Sequence, residues 1–366
     1  MKITLVSGIY PPDIGGPATY IPELAKYLMQ VKEEVQVVSL TDGDGRSFTE
    51  SWKVTLISRK SHRLSRFLRV CLNLFALNTD VYFVNGMHEE VAVINFFKRK
   101  KAVAKIVGDP VWERARNAGF ECKSMSQFNS IKLPKKYLIQ RKFLKWSLNR
   151  FDKIICPSEE LVQTVKEWGV KTDVNYLQNG VPIRDLLPAE EGASIVSVSR
   201  LVPWKNLDVL IEACSKLEVV LEIVGDGPEE KNLRNLASEL GADVKFLGNL
   251  ESKEVIEVLS KSKVFALISE YEGQSFALLQ AMSLGLPVIV SDIKGNTKVV
   301  QDNYNGLVVN QNSLDSIVQT LNRLIFSSEL RQYLGNNARS TVKTKFALQN
   351  NLELVHNLIL ELNADK

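Results

Sequence analysis

Residues 264–292 read VFALISEYEGQSFALLQAMSLGLPVIVSD. The run 264–268 is apolar and of strand length, and 288–291 is a second such run. Between them, 276–284 has helical length and spacing, and Gly285-Leu286-Pro287 stops it. Strand, helix, strand in that order is a crossover unit, and crossover units join parallel strands. The loop leaving the first strand carries a carboxylate, Glu272. It then runs Gly273-Gln274-Ser275-Phe276 into the helix start, where backbone N–H groups form a nest suited to an anion. Gln280 lies one turn into the helix, on the face that can look back at the loop.

The same rhythm extends in both directions. Further strands are read at 194–199, 219–224, 244–246 and 307–309, with helices at 207–217, 229–240, 253–260 and 297–301. Upstream, strands are read at 3–7, 34–40, 53–58, 80–85, 102–107, 153–157 and 175–177. Helices are read at 20–29, 62–77, 137–149 and 159–168, and the chain from 313 onward is helical by period. Two complete series imply an α/β protein of two doubly wound, Rossmann-like domains facing across a cleft. The break falls at the turn formers Asn179-Gly180-Val181-Pro182 and 188–192. This gives an N-terminal domain over 1–180, a C-terminal domain over 181–345, and a last helix, about 346–366, packing back on the first domain. In such sheets ligands bind at the carboxyl ends of the strands, so the chemistry belongs in those loops.

Composition narrows the class. Of 366 residues 45% are hydrophobic and 24% charged, which fits globular domains and not disorder. No run reaches the roughly 18 apolar residues that span a bilayer. The short run 3–6 ends in Ser7-Gly8, which is a strand entering a loop and no export signal, so the expected location is the cytoplasm. Cys71, Cys122, Cys156 and Cys214 are scattered, as are His62, His88 and His356. They build no metal site by local spacing and read as reduced thiols. The net charge of +4 hides an asymmetry: residues 1–180 carry 28 basic and 18 acidic side chains, and the remainder is net acidic. The two halves therefore face different partners.

Two more loops stand out in the second half. Arg200 and Lys205 follow a strand and open a helix, and two cations beside free N–H groups are what a diphosphate needs. Their alternative reading is a solvated loop. Gly225-Asp226-Gly227-Pro228 also follows a strand, and its glycines permit close backbone approach to a ligand or simply a tight turn.

Taken in order, these stretches resemble glycosyltransferase family 4, retaining enzymes of GT-B fold. The matching elements are Arg200-Leu201 through Lys205-Asn206, the Gly225–Pro228 turn, Phe246-Leu247-Gly248, Glu272 through Met282, and Gly285 through Ile289. In the first half Tyr10-Pro11-Pro12 with Gly15-Gly16 resembles the family's glycine loop beneath the donor phosphates, and Asn179-Gly180-Val181 its hinge. The resemblance implies a nucleotide-diphosphate sugar as donor substrate, a UDP-sugar foremost. It also implies no cofactor, no metal, and retention of the anomeric configuration. Arg200 and Lys205 would neutralise the leaving diphosphate, and Glu272 would orient the sugar. Gly15, Gly16, Gly225, Gly227, Asn249, Gly273, Gln274, Ser275, Phe276 and Gln280 would line the donor site. Two positions depart from the pattern: Gln280 stands where the family usually has Glu, and Gly108 where it often has His, leaving Asp109 to take over a catalytic contact.

The implied acceptor is a glycan or a lipid-linked intermediate of cell-envelope polysaccharide or glycolipid synthesis. Leu64, Phe67, Leu68, Cys71, Leu72 and Phe75 share one helical face, flanked by Arg59, Arg63, Arg66 and Arg69. The face is expected to pack on the sheet. The cations between Arg59 and Arg69, with Lys98-Arg99-Lys100-Lys101 and those from Lys132 to Lys145, among which Tyr137, Phe143 and Trp146 are interleaved, are expected to meet an anionic membrane surface, placing the chain at the inner face of the membrane. Nucleic acid is not expected, since no recognition motif accompanies the charge. Two alternatives stay open: a sugar-nucleotide epimerase of the same fold, and a non-catalytic nucleotide-sugar-binding relative.

Overall fold

In a computed structural model, residues 1–13, 15–43, 45–120, 125–184 and 194–364 are described. The chain forms two compact units. The first comprises Met1–Val111, Ile131–Gln178 and Asn351–Lys366, the second Trp112–Ser130 and Asn179–Asn350.

The first unit is built on eight strands: β1 (Lys2–Ser7), β2 (Glu34–Thr41), β3 (Ser47–Thr49), β4 (Lys53–Ser58), β5 (Val81–Asn85), β6 (Lys101–Lys105), β7 (Lys153–Cys156) and β8 (Asp173–Tyr176). Their order is β3-β4-β2-β1-β5-β6-β7-β8. All pairings are parallel except the edge pair β3–β4. Ile3 to Ser7 are all buried because helices cover both faces of the sheet, which is why β1 reads as a continuous apolar run and not an alternating one. The strand order turns at β1, with β2 on one side and β5 on the other, so the loops after β1 and β5 diverge there. They also touch: a Cβ on Gly86 (φ 118°) would sit 2.5 Å from the Gly8 amide nitrogen.

Two elements of this unit escape the periodicity. The edge strand β3 is only three residues long. The helix His88–Lys98 buries Val91, Ala92, Ile94 and Asn95 while exposing Phe96 and Phe97, so apolar residues lie all round it and blur the helical period. The helix Arg63–Ala76 differs from expectation. Its buried residues are Val70, Cys71 and Leu74, whereas Leu64, Leu68, Leu72 and Phe75 stay exposed. The apolar arc is wider than the arc its neighbours cover. The carboxy-terminal helix Leu348–Ala364 is tied into this unit: Tyr20 Oη donates to Asn351 Oδ1 at 2.8 Å, and His356 Nε2 lies 3.1 Å from Glu33.

The second unit has six parallel strands: β9 (Ile195–Val198), β10 (Leu221–Val224), β11 (Val244–Gly248), β12 (Val264–Leu267), β13 (Val288–Ser291) and β14 (Leu307–Val309). Their order is β11-β10-β9-β12-β13-β14. Alternation along β12 feeds two cores. Phe265 and Leu267 join Leu278, Leu279 and Met282 on one face. Val264 and Ala266 join Leu210, Ile211 and Leu321 on the other. β9 pairs with β10 on one side and β12 on the other, so this sheet also turns at its first strand, and the loops after β9 and β12 flank the turning point. Among the described residues no helix is long and apolar enough to cross a membrane.

Candidate active site

Lys205 and Glu272 meet at that turning point. Lys205 ends a single 3₁₀ turn, Pro203–Lys205, started by proline and closed by Asn206 in the left-handed region (φ 48°). Its Nζ donates to Glu272 Oε1, and Ser269 Oγ donates to the same oxygen at 2.8 Å. Ser269 is held in turn: its carbonyl accepts from Ser291 Oγ at 2.6 Å, and Ser291 Oγ accepts from Asn296 Nδ2 at 3.0 Å. The backbone of Glu272 is pressed from the other side by Gly295, where a Cβ would fall 2.0 Å from the Glu272 carbonyl oxygen. Glu272 is therefore a buried carboxylate, 9% exposed, fixed by Ser269 of its own loop and by two segments more distant in sequence, those of Lys205 and Gly295. Arg200 is exposed, and its guanidinium has no hydrogen-bond or ion-pair partner among the described residues.

The rest of the loop is spent largely on its own construction. Ser275 caps the helix Phe276–Ser283, accepting from the Leu278 N–H at 3.2 Å. Gln274 is buried; its Oε1 accepts from the Asn179 N–H, and its carbonyl accepts from Asn179 Nδ2 at 3.1 Å. Phe276 packs against the core. What Gly273, Gln274, Ser275 and Phe276 can offer an anion is backbone, as the nest reading requires, while two of their side chains hold the loop in place. The Gln280 amide has no hydrogen-bond partner among the described residues.

The glycine turn after β10 also has a protein partner. A Cβ on Gly225 would lie 2.0 Å from the Ser199 carbonyl oxygen, and one on Gly227 2.3 Å from that of Leu201. Leu201 N–H donates to the Asp226 carbonyl at 2.7 Å. Both glycines thus let the turn seat against the segment that carries Arg200. Asn249, in the loop after β11, donates to Asp226 Oδ2.

The chain after β6 forms the helices Pro110–Asn117 and Met125–Ser130. Trp112 is fully buried against Trp204 and Tyr271, with ring centroids 5.0 and 5.4 Å apart. Arg116 reaches Glu270 at 3.4 Å. These contacts brace both loops that carry Lys205 and Glu272.

In the first unit Gly15 (φ 147°) is the residue before the helix Gly16–Gln30, and a Cβ there would meet Ile9 Cδ1 at 2.6 Å. The loop is clamped by Arg59, which pairs with Asp13 at 3.0 Å and Asp42 at 2.7 Å and donates to the Gly8 carbonyl. Asp109 is fully buried. Its Oδ1 accepts from the Val111 N–H at 2.9 Å and its Oδ2 pairs with Arg141 at 2.5 Å, so both oxygens are engaged inside this unit.

Two family models match successive parts of the chain. The model described as Glycosyltransferase Family 4 covers residues 14–185, and that described as Glycosyl transferases group 1 covers residues 183–341. The chain belongs to the group 1, family 4 glycosyltransferases. It is 24% identical over 384 residues to an Escherichia coli UDP-Gal:alpha-D-GlcNAc-diphosphoundecaprenol alpha-1,3-galactosyltransferase, covering 93% of this chain and 96% of that one. Among solved structures it resembles a sucrose-phosphate synthase from Thermosynechococcus elongatus, with TM-score 0.81, 17% identity and 100% of both chains covered. It also resembles Anabaena HepE in complex with UDP and glucose, with TM-score 0.78, 18% identity and 99% of this chain and 100% of that one covered. The fold is GT-B.

Several residues that shape the glycosyltransferase's site carry no sequence signature. Ser269, Ser291, Asn296 and Gly295 act through hydrogen bonds or close approach between the ends of the neighbouring strands β12 and β13 and the loops that follow them. In the first unit Lys105 ends β6 fully buried, its Nζ 3.7 Å above the Tyr20 ring, and burial pulls its ammonium down to about 7. Of the arginines expected to face a membrane, Arg59 is committed to the loop clamp and Arg66 to the Arg59 carbonyl at 2.9 Å. Cys71, Cys156 and Cys214 are free and buried, and burial raises the last two thiols to about 12. Cys122 lies outside the described residues.

Proposed function

We propose that this glycosyltransferase moves a hexose from a nucleotide-diphosphate sugar, a UDP-sugar foremost, to a glycan or lipid-linked acceptor of cell-envelope polysaccharide or glycolipid synthesis. The reading has it working at the cytoplasmic side, with retention of configuration and without metal or cofactor. The observation that carries it is the Lys205–Glu272 pair at the turning point of the six-stranded sheet, with an unpaired Arg200 on the same loop. When the bond from the sugar C1 to the diphosphate breaks, negative charge collects on the departing oxygens. In this proposal Lys205 and Arg200 neutralise it, and preorganised cations stabilise such a transition state without reorganising. Glu272 accepts hydrogen bonds from sugar hydroxyls once Lys205 turns to the phosphates. The residues 273–276 present backbone N–H groups to the same anion. Gln280 bonds ribose hydroxyls as a neutral amide. The names of the Escherichia coli galactosyltransferase and of HepE with UDP support a UDP-sugar and a lipid-linked acceptor.

The test is a thermal-shift panel of UDP, GDP, ADP and CMP, followed by transfer assays to a polyprenyl-diphosphate glycan in the presence of EDTA. Saturating nucleotide at about 100 times its dissociation constant adds roughly 2.7 kcal/mol. A shift with UDP alone, and product that keeps the donor's anomeric configuration by NMR, support the proposal. Release of an epimerised sugar nucleotide without acceptor would replace it with the epimerase reading, and binding without any turnover with the non-catalytic one.

A further inference from the structure

The amino-terminal ends of β6 and β7 lie side by side in the first unit, at the edge of the sheet away from the loops of Gly15 and Asp109. A groove of about 470 Å³ opens there, and its lining includes Phe96, Arg99, Lys100, Lys101, Arg150 and Asp152. The one carboxylate is engaged: Asp152 lies 3.6 Å from Lys101 and accepts from the Ala102 N–H at 2.8 Å. Among the described residues no carboxylate pairs with Arg99, Lys100 or Arg150. The groove is built and not incidental. Asn95 clasps both the N–H and the carbonyl of Lys100 at 2.7 Å, and Arg99 is held in the left-handed region (φ 51°) at the helix end. The Arg150 guanidinium lies between the Phe96 ring at 4.7 Å and the Trp146 ring at 4.5 Å, with its Nε buried and without a hydrogen-bond partner.

The carbonyl end of the helix His88–Lys98 attracts cations, which by itself accounts for some of this charge. It does not account for the exposed aromatic side chains beside Phe96 and Arg150. Phe97 is 68% exposed and meets Phe96 edge-on at 5.2 Å; Phe143 and Trp146 are stacked at 5.4 Å and also exposed. The cations Arg99, Lys100 and Arg150, with exposed aromatic rings beside Phe96 and Arg150, match the interfacial layer of an anionic bilayer, where phosphate and acyl boundary lie together. A free phosphate or a soluble polyanion gives those rings nothing to contact. We infer that this groove seats the phosphate of an anionic phospholipid head group, with Phe97, Phe143 and Trp146 entering the interface. The inference rests on the lipid-borne acceptor proposed above. Among the cationic stretches expected to meet a membrane, it selects Arg99 and Lys100 with the groove beside Arg150 over the helix Arg63–Ala76, whose Arg59 and Arg66 flank is internally bonded.

The test is flotation of the full chain with phosphatidylcholine vesicles, with and without 30% phosphatidylglycerol. At least tenfold stronger partition into the anionic vesicles is expected. Arg99→Ser with Lys100→Ser should reduce it about 25-fold, on the order of fivefold per cation. Lipids brominated in the upper acyl chain should quench fluorescence in the wild type, and this quenching should be lost in Trp146→Phe. Equal partition into both vesicles, an unchanged double variant, or no Trp146-dependent quenching would each overturn the inference. UDP-induced stabilisation is measured on the same samples. If it persists while flotation fails, only the groove is wrong; if it is absent while flotation holds, the donor reading is wrong and the groove stands.

Discussion

Lys205 and Glu272, 67 residues apart, form an ion pair that bridges the loops after β9 and β12, and Ser269 donates to the same carboxylate oxygen. The pair exists because β9 and β12 are hydrogen-bonded neighbours at the point where the strand order turns. It also sets the electrostatics of the site. Without an anion, the lysine charge is held by the carboxylate; a diphosphate supplies a second, stronger acceptor and frees Glu272 for hydroxyl groups.

Removing either partner should therefore give different results. Lys205→Ala is expected to lower kcat about 100-fold, the scale for one preorganised donor, and to shrink the UDP-induced thermal shift. Glu272→Gln keeps the shape and an acceptor for Ser269, so UDP binding should persist while transfer falls by a similar factor. Equal loss of UDP binding in both variants would argue that the two residues act as one binding unit, not in separate roles.

A second prediction concerns the glycine behind the pair. A Cβ at residue 295 would lie 2.0 Å from the Glu272 carbonyl oxygen, and backbone cannot rotate away. Gly295→Ala should cost about 1–3 kcal/mol, as overpacking does, and should lower kcat further than the loss of folded protein explains. Wild-type kcat in this variant would mean that the Glu272 position tolerates displacement.

The legibility of the fold and of the site differ for a physical reason. Alternating apolar runs and helical periods place thirteen of the fourteen strands, since burial on both faces is a local property of residues such as Ile3 to Val6 or Val288 to Val290. The loop with Glu272 is legible for the same reason, as a carboxylate between a strand end and a helix start. Side-chain use is not. Gln274 and Ser275 look like ligand-binding groups by type, and they bond to Asn179 and Leu278 instead. The Asn179 partner follows from where two loops 95 residues apart in sequence converge, while the Leu278 partner is a local helix cap. Gly225 and Gly227 show the same limit: glycine reports that something comes close, and here it is the carbonyls of Ser199 and Leu201. The exposed arc of Leu64, Leu68 and Leu72 shows it in reverse, because periodicity marks an apolar face but not the neighbour that covers it.

Asp109 supplies a third prediction. Its carboxylate is buried, caps Val111 and pairs with Arg141, whose guanidinium also stacks on Trp168 at 4.4 Å. Asp109→Ala should destabilise the protein by about 3–5 kcal/mol, the scale for breaking one side of a buried pair. Asp109→Leu combined with Arg141→Met should recover much of that in urea unfolding. If Asp109→Ala leaves stability unchanged and abolishes transfer, the carboxylate acts on substrate and not on Arg141.

Lys105 carries the last prediction, a pH dependence. Burial lowers its folded-state value to about 7 from the ordinary 10.5. Below pH 7 both folded and unfolded chains hold the proton, and the buried charge disfavours folding by a constant amount. Between pH 7 and 10.5 the unfolded chain still binds the proton while the folded chain has released it. In that window this residue makes stability rise with pH, on the order of 1.4 kcal/mol per unit. Lys105→Met removes the titrating group while filling similar volume beneath the Tyr20 ring. The variant should be the more stable protein at pH 6.5 by urea unfolding, and its advantage should shrink steadily at pH 8 and 9.5. A gap between the two proteins that stays constant across that range would mean that Lys105 keeps its proton in the folded state. In that case its packing over Tyr20, 3.7 Å from the ring centre, would be holding an ammonium and not an amine.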